Sequence, residues 1–284
     1  METKVASASK EVIIGDNQPT VLIGERINPT GREKLTEALK AVDMEIVRKE
    51  ALAQVQAGAD ILDVNVGAFG VDEVSLLPKA VKAVMETVDV PLCLDSSNPD
   101  AMEAALKVYE GKALVNSVTA EERSLKKVLP LVKEYGAAVI GMVQDEDGIP
   151  KDAERRIRMA HKIVEKVEAA GISREDLVID CMAFAVGAEP SSGVAVVDAT
   201  RRIKAELGVN MTMGASNVSY GLPDRPLLNS AFVAMVVAAG ATCLIADVAN
   251  VRSIILAADL VLGRDRRGRR YIEGYRQRQK RDNK

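Results

Sequence analysis

The chain contains no tryptophan, and among its 284 residues there are only three phenylalanines, three cysteines and one histidine. So few histidines and cysteines cannot build a structural zinc module or a cystine framework. All three cysteines (Cys93, Cys181, Cys243) lie in apolar surroundings, and a reducing cytoplasm is the expected compartment. An excess of one charge is also missing: 38 basic against 41 acidic side chains leave −3, with 48% hydrophobic and 28% charged residues, the balance of a folded water-soluble chain. Residues 1–19 mix charges with a short apolar patch and hold no hydrophobic core of secretory length. The longest uncharged stretch, Pro226 to Ala246, matches the length of a membrane span, about 20 residues. Pro226, Asn229, Ser230, Gly240 and Thr242 interrupt it, and Ala239-Gly240-Ala241 divides a helical period from a β-type run, so it reads as a buried helix followed by a buried strand.

One pattern fills the rest. Short apolar runs at 21–23, 61–64, 92–94, 113–115, 137–142, 177–179, 211–213 and 242–246 each end in polar residues and precede an amphipathic stretch. The runs are continuous in hydrophobicity, as in strands covered on both faces of a parallel sheet. The intervening spacing predicts helices near 33–57, 72–88, 99–110, 122–135, 152–170, 193–207, 227–239 and 250–262. Several stretches are followed by a glycine suited to the left-handed C-terminal position: Gly58, Gly111, Gly136, Gly171, Gly208 and Gly240. Eight strand–helix units with short connections predict an α/β fold, a single-domain (β/α)8 TIM barrel over residues 20–263, after an N-terminal extension, 1–19. The segment Gly24 to Gly31 matches neither a dinucleotide fingerprint nor a P-loop. The remaining tail, 264–284, holds ten Lys/Arg against three acidic residues, so it carries +7 and the body −10. Such a tail reads as a solvated helix, a docking element for an acidic partner or, with Tyr271 and Tyr275 its only aromatics, a poor nucleic-acid platform.

In a barrel of this kind the reactive groups come from the C-terminal ends of the strands. Those ends carry Glu25 with Asn28, Asp63 with Asn65, Asp95 with Ser96 and Ser97, Asn116 with Ser117, Gln144, Asp180, Ser216 with Asn217, and Asp247 with Asn250. Helix capping accounts for some of these, Asp95-Ser96-Ser97-Asn98 above all. No lysine ends a strand, which disfavours a Schiff-base aldolase, and no His/Cys cluster is available for a metal. A ring of carboxylates and carboxamides without a strong nucleophile suits a flat heterocycle rich in paired donors and acceptors, such as a pterin or a purine. The residue types alone leave both open.

The chain resembles the methyltetrahydrofolate:corrinoid protein methyltransferases, in the pterin-binding barrel group that includes dihydropteroate synthase and the folate module of cobalamin-dependent methionine synthase. The matching pieces include Gly24-Glu25-Arg26-Ile27-Asn28, Leu62-Asp63-Val64-Asn65-Val66-Gly67, Leu94-Asp95-Ser96-Ser97-Asn98, Val115-Asn116-Ser117, Val178-Ile179-Asp180, Gly214-Ala215-Ser216-Asn217 and Asp224-Arg225-Pro226. The resemblance implies that Asp95, Asn116 and Asp180 hold the pterin, Asp180 on its N3-H and 2-amino edge, and that Asn217 lies near N5, the atom that bears the methyl group. Asp63, Asn65, Gly214, Ser216 and Arg225 would complete the site, with no metal held by the chain. It further implies tetrahydrofolate or 5-methyltetrahydrofolate as substrate, a corrinoid carried by a partner protein, and a homodimer, with no nucleic acid or membrane as partner. The methyl would pass to tetrahydrofolate in a demethylating system, or the reverse with a corrinoid iron–sulfur protein. A resident corrinoid would require Asp-x-His-x-x-Gly, whereas the one histidine stands in Arg158-Met159-Ala160-His161-Lys162 and reads as an amphipathic-helix residue. Cys181 follows Asp180 where the family often has proline, and the loop 182–193 is this chain's own; Cys181 has no histidine beside it in sequence to activate it as a nucleophile. Two rivals stand beside this reading. Dihydropteroate synthase must bind a pyrophosphate, yet Ser216-Asn217-Val218-Ser219 and Ala246-Asp247-Val248-Ala249 hold no cation for one. A non-catalytic folate-binding subunit would not need Asn217.

Overall fold

Each of the eight apolar runs becomes a strand in the computed structural model, which describes residues 1–282. Two further strands precede them: β1 (Glu2–Ala6) and β2 (Glu11–Gly15). The eight are β3 (Val21–Ile27), β4 (Ile61–Asn65), β5 (Leu92–Asp95), β6 (Leu114–Thr119), β7 (Ala138–Met142), β8 (Leu177–Asp180), β9 (Asn210–Thr212) and β10 (Cys243–Ala246). They lie parallel in the order β10-β3-β4-β5-β6-β7-β8-β9. The two ends of this order meet through Thr242 N–H to Met211 O (3.0 Å) and Ile245 N–H to Met213 O (3.1 Å), which closes the TIM barrel expected from the sequence. Alternate residues explain why the runs are continuous. Ile23, Ile61, Cys93, Ile140 and Val178 fill the interior, while Leu22, Leu62, Leu94, Val139 and Ile179 pack outward on the helices, and all are buried.

The helices follow in alternation: α1 (Glu33–Lys40), α2 (Glu45–Ala57), α3 (Glu73–Met85), α4 (Pro99–Leu106), α5 (Glu122–Glu134), α6 (Ala153–Ala169), α7 (Ser192–Leu207), α8 (Arg225–Ala239) and α9 (Val248–Val261). The single helix expected over 33–57 is two helices. Val42 takes a left-handed φ of 57°, and the Asp43 carboxylate accepts from Glu45 N–H at 2.9 Å, restarting the helix there. The stretch from Pro226 to Ala246 is most of α8 followed by β10, and no helix among the described residues is long and apolar enough to cross a membrane. His161 is exposed on α6, 3.0 Å from Glu206.

Two terminal pieces complete the barrel. The β1–β2 hairpin is antiparallel and puts Val5 and Ile14, both fully buried, against the interior residues of the barrel strands. Asn210, at the start of β9, donates to the hairpin at Thr3 Oγ1 and Ile14 O, both 2.9 Å, so the hairpin plugs the N-terminal end of the barrel. At the other terminus α10 (Arg269–Asp282) starts on the Asp265 carboxylate, which accepts from Arg270 N–H and Tyr271 N–H, and lies along α9, where Gly274 faces Leu256. Buried Asp259 of α9 accepts from Thr20 N–H (2.9 Å) and Thr20 Oγ–H (2.6 Å) and faces Arg264 and Arg270 at 3.8 and 3.9 Å, tying this basic segment to the start of β3. Because Ile14 fills the interior, Ile14→Ala should lower unfolding free energy by about 2–5 kcal/mol, read as a lowered urea midpoint.

Candidate active site

The barrel brings six of the nine site residues expected from the sequence to one cavity at its C-terminal mouth. Asp63, Asp95, Asn116 and Asp180 come from β4, β5, β6 and β8, and Gly214 and Asn217 from the segment after β9. The cavity measures about 960 Å³ and is also lined by Glu25, Ser96, Gln144, Met142 and Tyr220. Parallel pairing sets the arrangement: Asp63 lies beside Cys93, Asn65 beside Asp95, and Asp95 beside Asn116 in the strand register.

Amides hold the carboxylates in place. Asn116 Nδ2 donates to Asp63 Oδ1 at 3.0 Å. Asn65 Nδ2 donates to Asp95 Oδ2 at 2.8 Å, while its own Oδ1 accepts from Gly67 N–H at 2.7 Å. Asp180 Oδ1 accepts from Met182 N–H at 2.5 Å. Among the described residues no protein group donates to Asp95 Oδ1 or Asp180 Oδ2, so each carboxylate keeps an acceptor for a ligand.

Burial dominates the protonation of this ring. It pushes Asp180 up to about 7 against the Met182 N–H bond and the Arg156 charge. Asp95 is pushed up to about 6 by burial, offset by the Asn65 bond and assisted by Glu73. Burial and then the Asp95 charge hold Asp63 well above the usual carboxylate range, and burial raises Glu25 against its bond from Ser216. Burial also raises the Cys181 thiol to about 12, consistent with its reading as no nucleophile. No group of three His, Cys, Asp or Glu among the described residues is placed to hold a metal.

Three expected residues stand behind the cavity wall. Asn65 braces Asp95 as described. Ser216 Oγ donates to Glu25 Oε1 at 2.6 Å. Arg225 donates to Ser216 O (2.9 Å) and Ser219 Oγ (3.1 Å) and lies over the Tyr220 ring at 5.9 Å. Two contributors escaped the sequence reading. Glu25, noted only as a strand end, lines the cavity. Arg156, buried on α6, donates to Cys181 O and Met182 O and fixes the loop after Asp180. An arginine on the inward, apolar side of α6 was its only signal.

Comparison with known proteins agrees with this geometry. The profile described as pterin binding enzyme matches residues 24–247. The chain belongs to the pterin-binding enzymes. A methylcorrinoid:tetrahydrofolate methyltransferase of Eubacterium limosum is 30% identical over 264 residues, covering 90% of this chain and 96% of the relative. The methionine synthase of Mycobacterium leprae is 32% identical over 246 residues, covering 82% of this chain but 20% of that longer protein. Among solved structures, a Xanthomonas albilineans dihydropteroate synthase superposes with a TM-score of 0.72 at 21% identity, over 92% of this chain and 99% of that one, a likeness of fold. Within the pterin-binding enzymes the chain stands with the methyltransferases, as its motifs implied.

The raised carboxyls have a consequence for stability. With its folded value near 7, Asp180 favours the fold fully below the unfolded value near 4, and that contribution is lost as pH rises through 7. The ligand-free pterin-binding barrel should therefore show a lower urea midpoint at pH 8 than at pH 5, and Asp180→Asn should shrink the difference.

Proposed function

We propose that the chain passes a methyl group from a methylated corrinoid protein to N5 of tetrahydrofolate, with Asp63, Asp95, Asn116 and Asp180 holding the pterin and Asn217 at N5. The observation that carries the reading is a ring of carboxylates and amides at the strand ends with exposed Asn217 on the same cavity, whose two lining cations, Arg123 and Lys127, stand on α5 and not on a strand end. The free oxygens of Asp180 and Asp95 suit the N–H-rich edge of the pterin, which pairs with a carboxylate in two parallel bonds. The direction and the partner are those named for the Eubacterium limosum relative. By the resemblance, the working form is a homodimer.

The transfer needs alignment more than an enzyme nucleophile. N5 attacks the methyl carbon in line with the carbon–cobalt bond, the bond pair stays on cobalt, and the N5 proton leaves; the corrinoid is the partner's substrate group. The Asn217 amide accepts the N5 proton's hydrogen bond before transfer and donates when the reaction runs backward, so it stabilises the charge that changes at N5 in either direction. Its exposed position leaves the methyl acceptor open to the incoming corrinoid. Dihydropteroate synthase chemistry is less well served. Arg26 and Arg225, whose charges reach Glu25, are committed to Glu50 and Asp247, and to the turn after β9. That leaves neither free for a pyrophosphate, and the two cations that do line the cavity, Arg123 and Lys127, stand on α5 and not on the segments after β9 and β10.

Asn217→Ala should lower single-turnover methyl transfer by about 10²–10³-fold while tetrahydrofolate affinity changes far less; equal losses in both contradict the role. Folate uptake without any transfer by the unaltered protein would instead indicate a binding subunit. Gly214→Ala supplies a second check. A Cβ there would stand 2.9 Å from Asn217 Nδ2, so the amide must move, and turnover should fall by up to about 10²-fold with binding largely kept.

A further inference from the structure

The Asn217 amide makes no hydrogen bond to protein among the described residues, so the backbone of its turn and its packing over Gly214 set where it points. That turn is a single 3-10 stretch, Ala215–Ser219, joined by Asn217 N–H to Gly214 O and by Tyr220 N–H to Asn217 O, both 3.2 Å. Short 3-10 pieces hold themselves weakly. This one is clamped from two sides at the residue before Asn217. Ser216 Oγ donates to Glu25 on β3, and Ser216 O accepts from Arg225 Nη2 at the start of α8. Arg225 Nε also donates to Ser219 Oγ, which itself reaches Ser216 O at 3.3 Å, so one guanidinium spans both ends of the stretch that carries Asn217.

Local requirements do not explain this arginine. A cation in the first turn of a helix opposes the helix dipole. Arg225 forms no ion pair with a carboxylate among the described residues that would offset this. The donors of its planar fork go to the turn, and its face rests on Tyr220, which lines the cavity mouth. We propose that Arg225 is a positioning residue: it acts on methyl transfer through the Ser216–Ser219 clamp that aims Asn217, rather than by touching the pterin. This rests on the assignment of Asn217 to N5.

A cycle of Arg225→Gln, Asn217→Ala and the double variant tests it, each assayed for single-turnover methyl transfer and for tetrahydrofolate affinity. Arg225→Gln should slow transfer by about tenfold or more with affinity held within about twofold. The double variant should be no slower than Asn217→Ala alone, since the clamp has nothing left to aim. Arg225→Lys, which keeps the charge and one donor to Ser216 O, should recover part of the rate; if the glutamine variant does not fold, the lysine variant carries the same cycle with a smaller loss. An affinity loss parallel to the rate loss would make Arg225 a direct ligand and overturn the inference. Additive losses in the double variant, or full activity of Arg225→Gln beside a slow Asn217→Ala, would overturn it and leave the N5 assignment standing. A fully active Asn217→Ala would remove both.

Discussion

Closing eight strands into a barrel forces their C-terminal ends into one ring, and in this chain that ring takes Asp63, Asp95 and Asp180 out of water with amide N–H groups as their direct donors. Asp63 is 2% exposed and Asp180 7%. Burying a carboxylate costs several kcal/mol unless it is paired and hydrogen-bonded. Here Asp95 and Asp180 each receive one donor and keep an open oxygen, and the rise of Asp180 to about 7 expresses that unmet demand. A ligand that brings its own N–H groups completes the set. The site is thereby less stable empty than filled, which is the common condition of a preorganised binding site.

Rigid and adjustable parts are separated by their place in the fold. Asp63, Asp95, Asn116 and Asp180 belong to strands, and their bracing partners Asn65 and Met182 lie on or next to a strand end, so the edge proposed to read the pterin is fixed by the sheet register. Asn217 sits outside the sheet on a short turn over a glycine, where an amide can exchange donor for acceptor. The β1–β2 hairpin closes the opposite end with Val5 and Ile14, so the interior below the carboxylates is filled with side chains and the cavity opens only toward the strand C-termini among the described residues.

Much of this was legible in the sequence. Strands buried on both faces write themselves as continuous apolar runs, and all eight could be read, as could the polar residue at each strand end. Local breaks were less visible: nothing in Ala41-Val42-Asp43-Met44 marks a left-handed valine, and the alternating, half-polar strands Glu2–Ala6 and Glu11–Gly15 look like a charged N-terminal extension until the barrel supplies their buried face. Roles were harder than membership. Asn65, Ser216 and Arg225 carry family motifs, but their bonds run to Asp95, Glu25 and the turn after β9, partners up to 191 residues away that no spacing rule connects. Arg156 and Glu25 became contributors only when burial and neighbouring loops were known.

Calorimetry of tetrahydrofolate binding near pH 6.5, in two buffers of different ionisation enthalpy, addresses the carboxylate ring directly. Donors from the pterin favour the charged form of Asp180 and Asp95, so binding should release protons to the buffer, and Asp180→Asn should diminish that release. Binding with no proton release, or no folate uptake at all, would contradict the account.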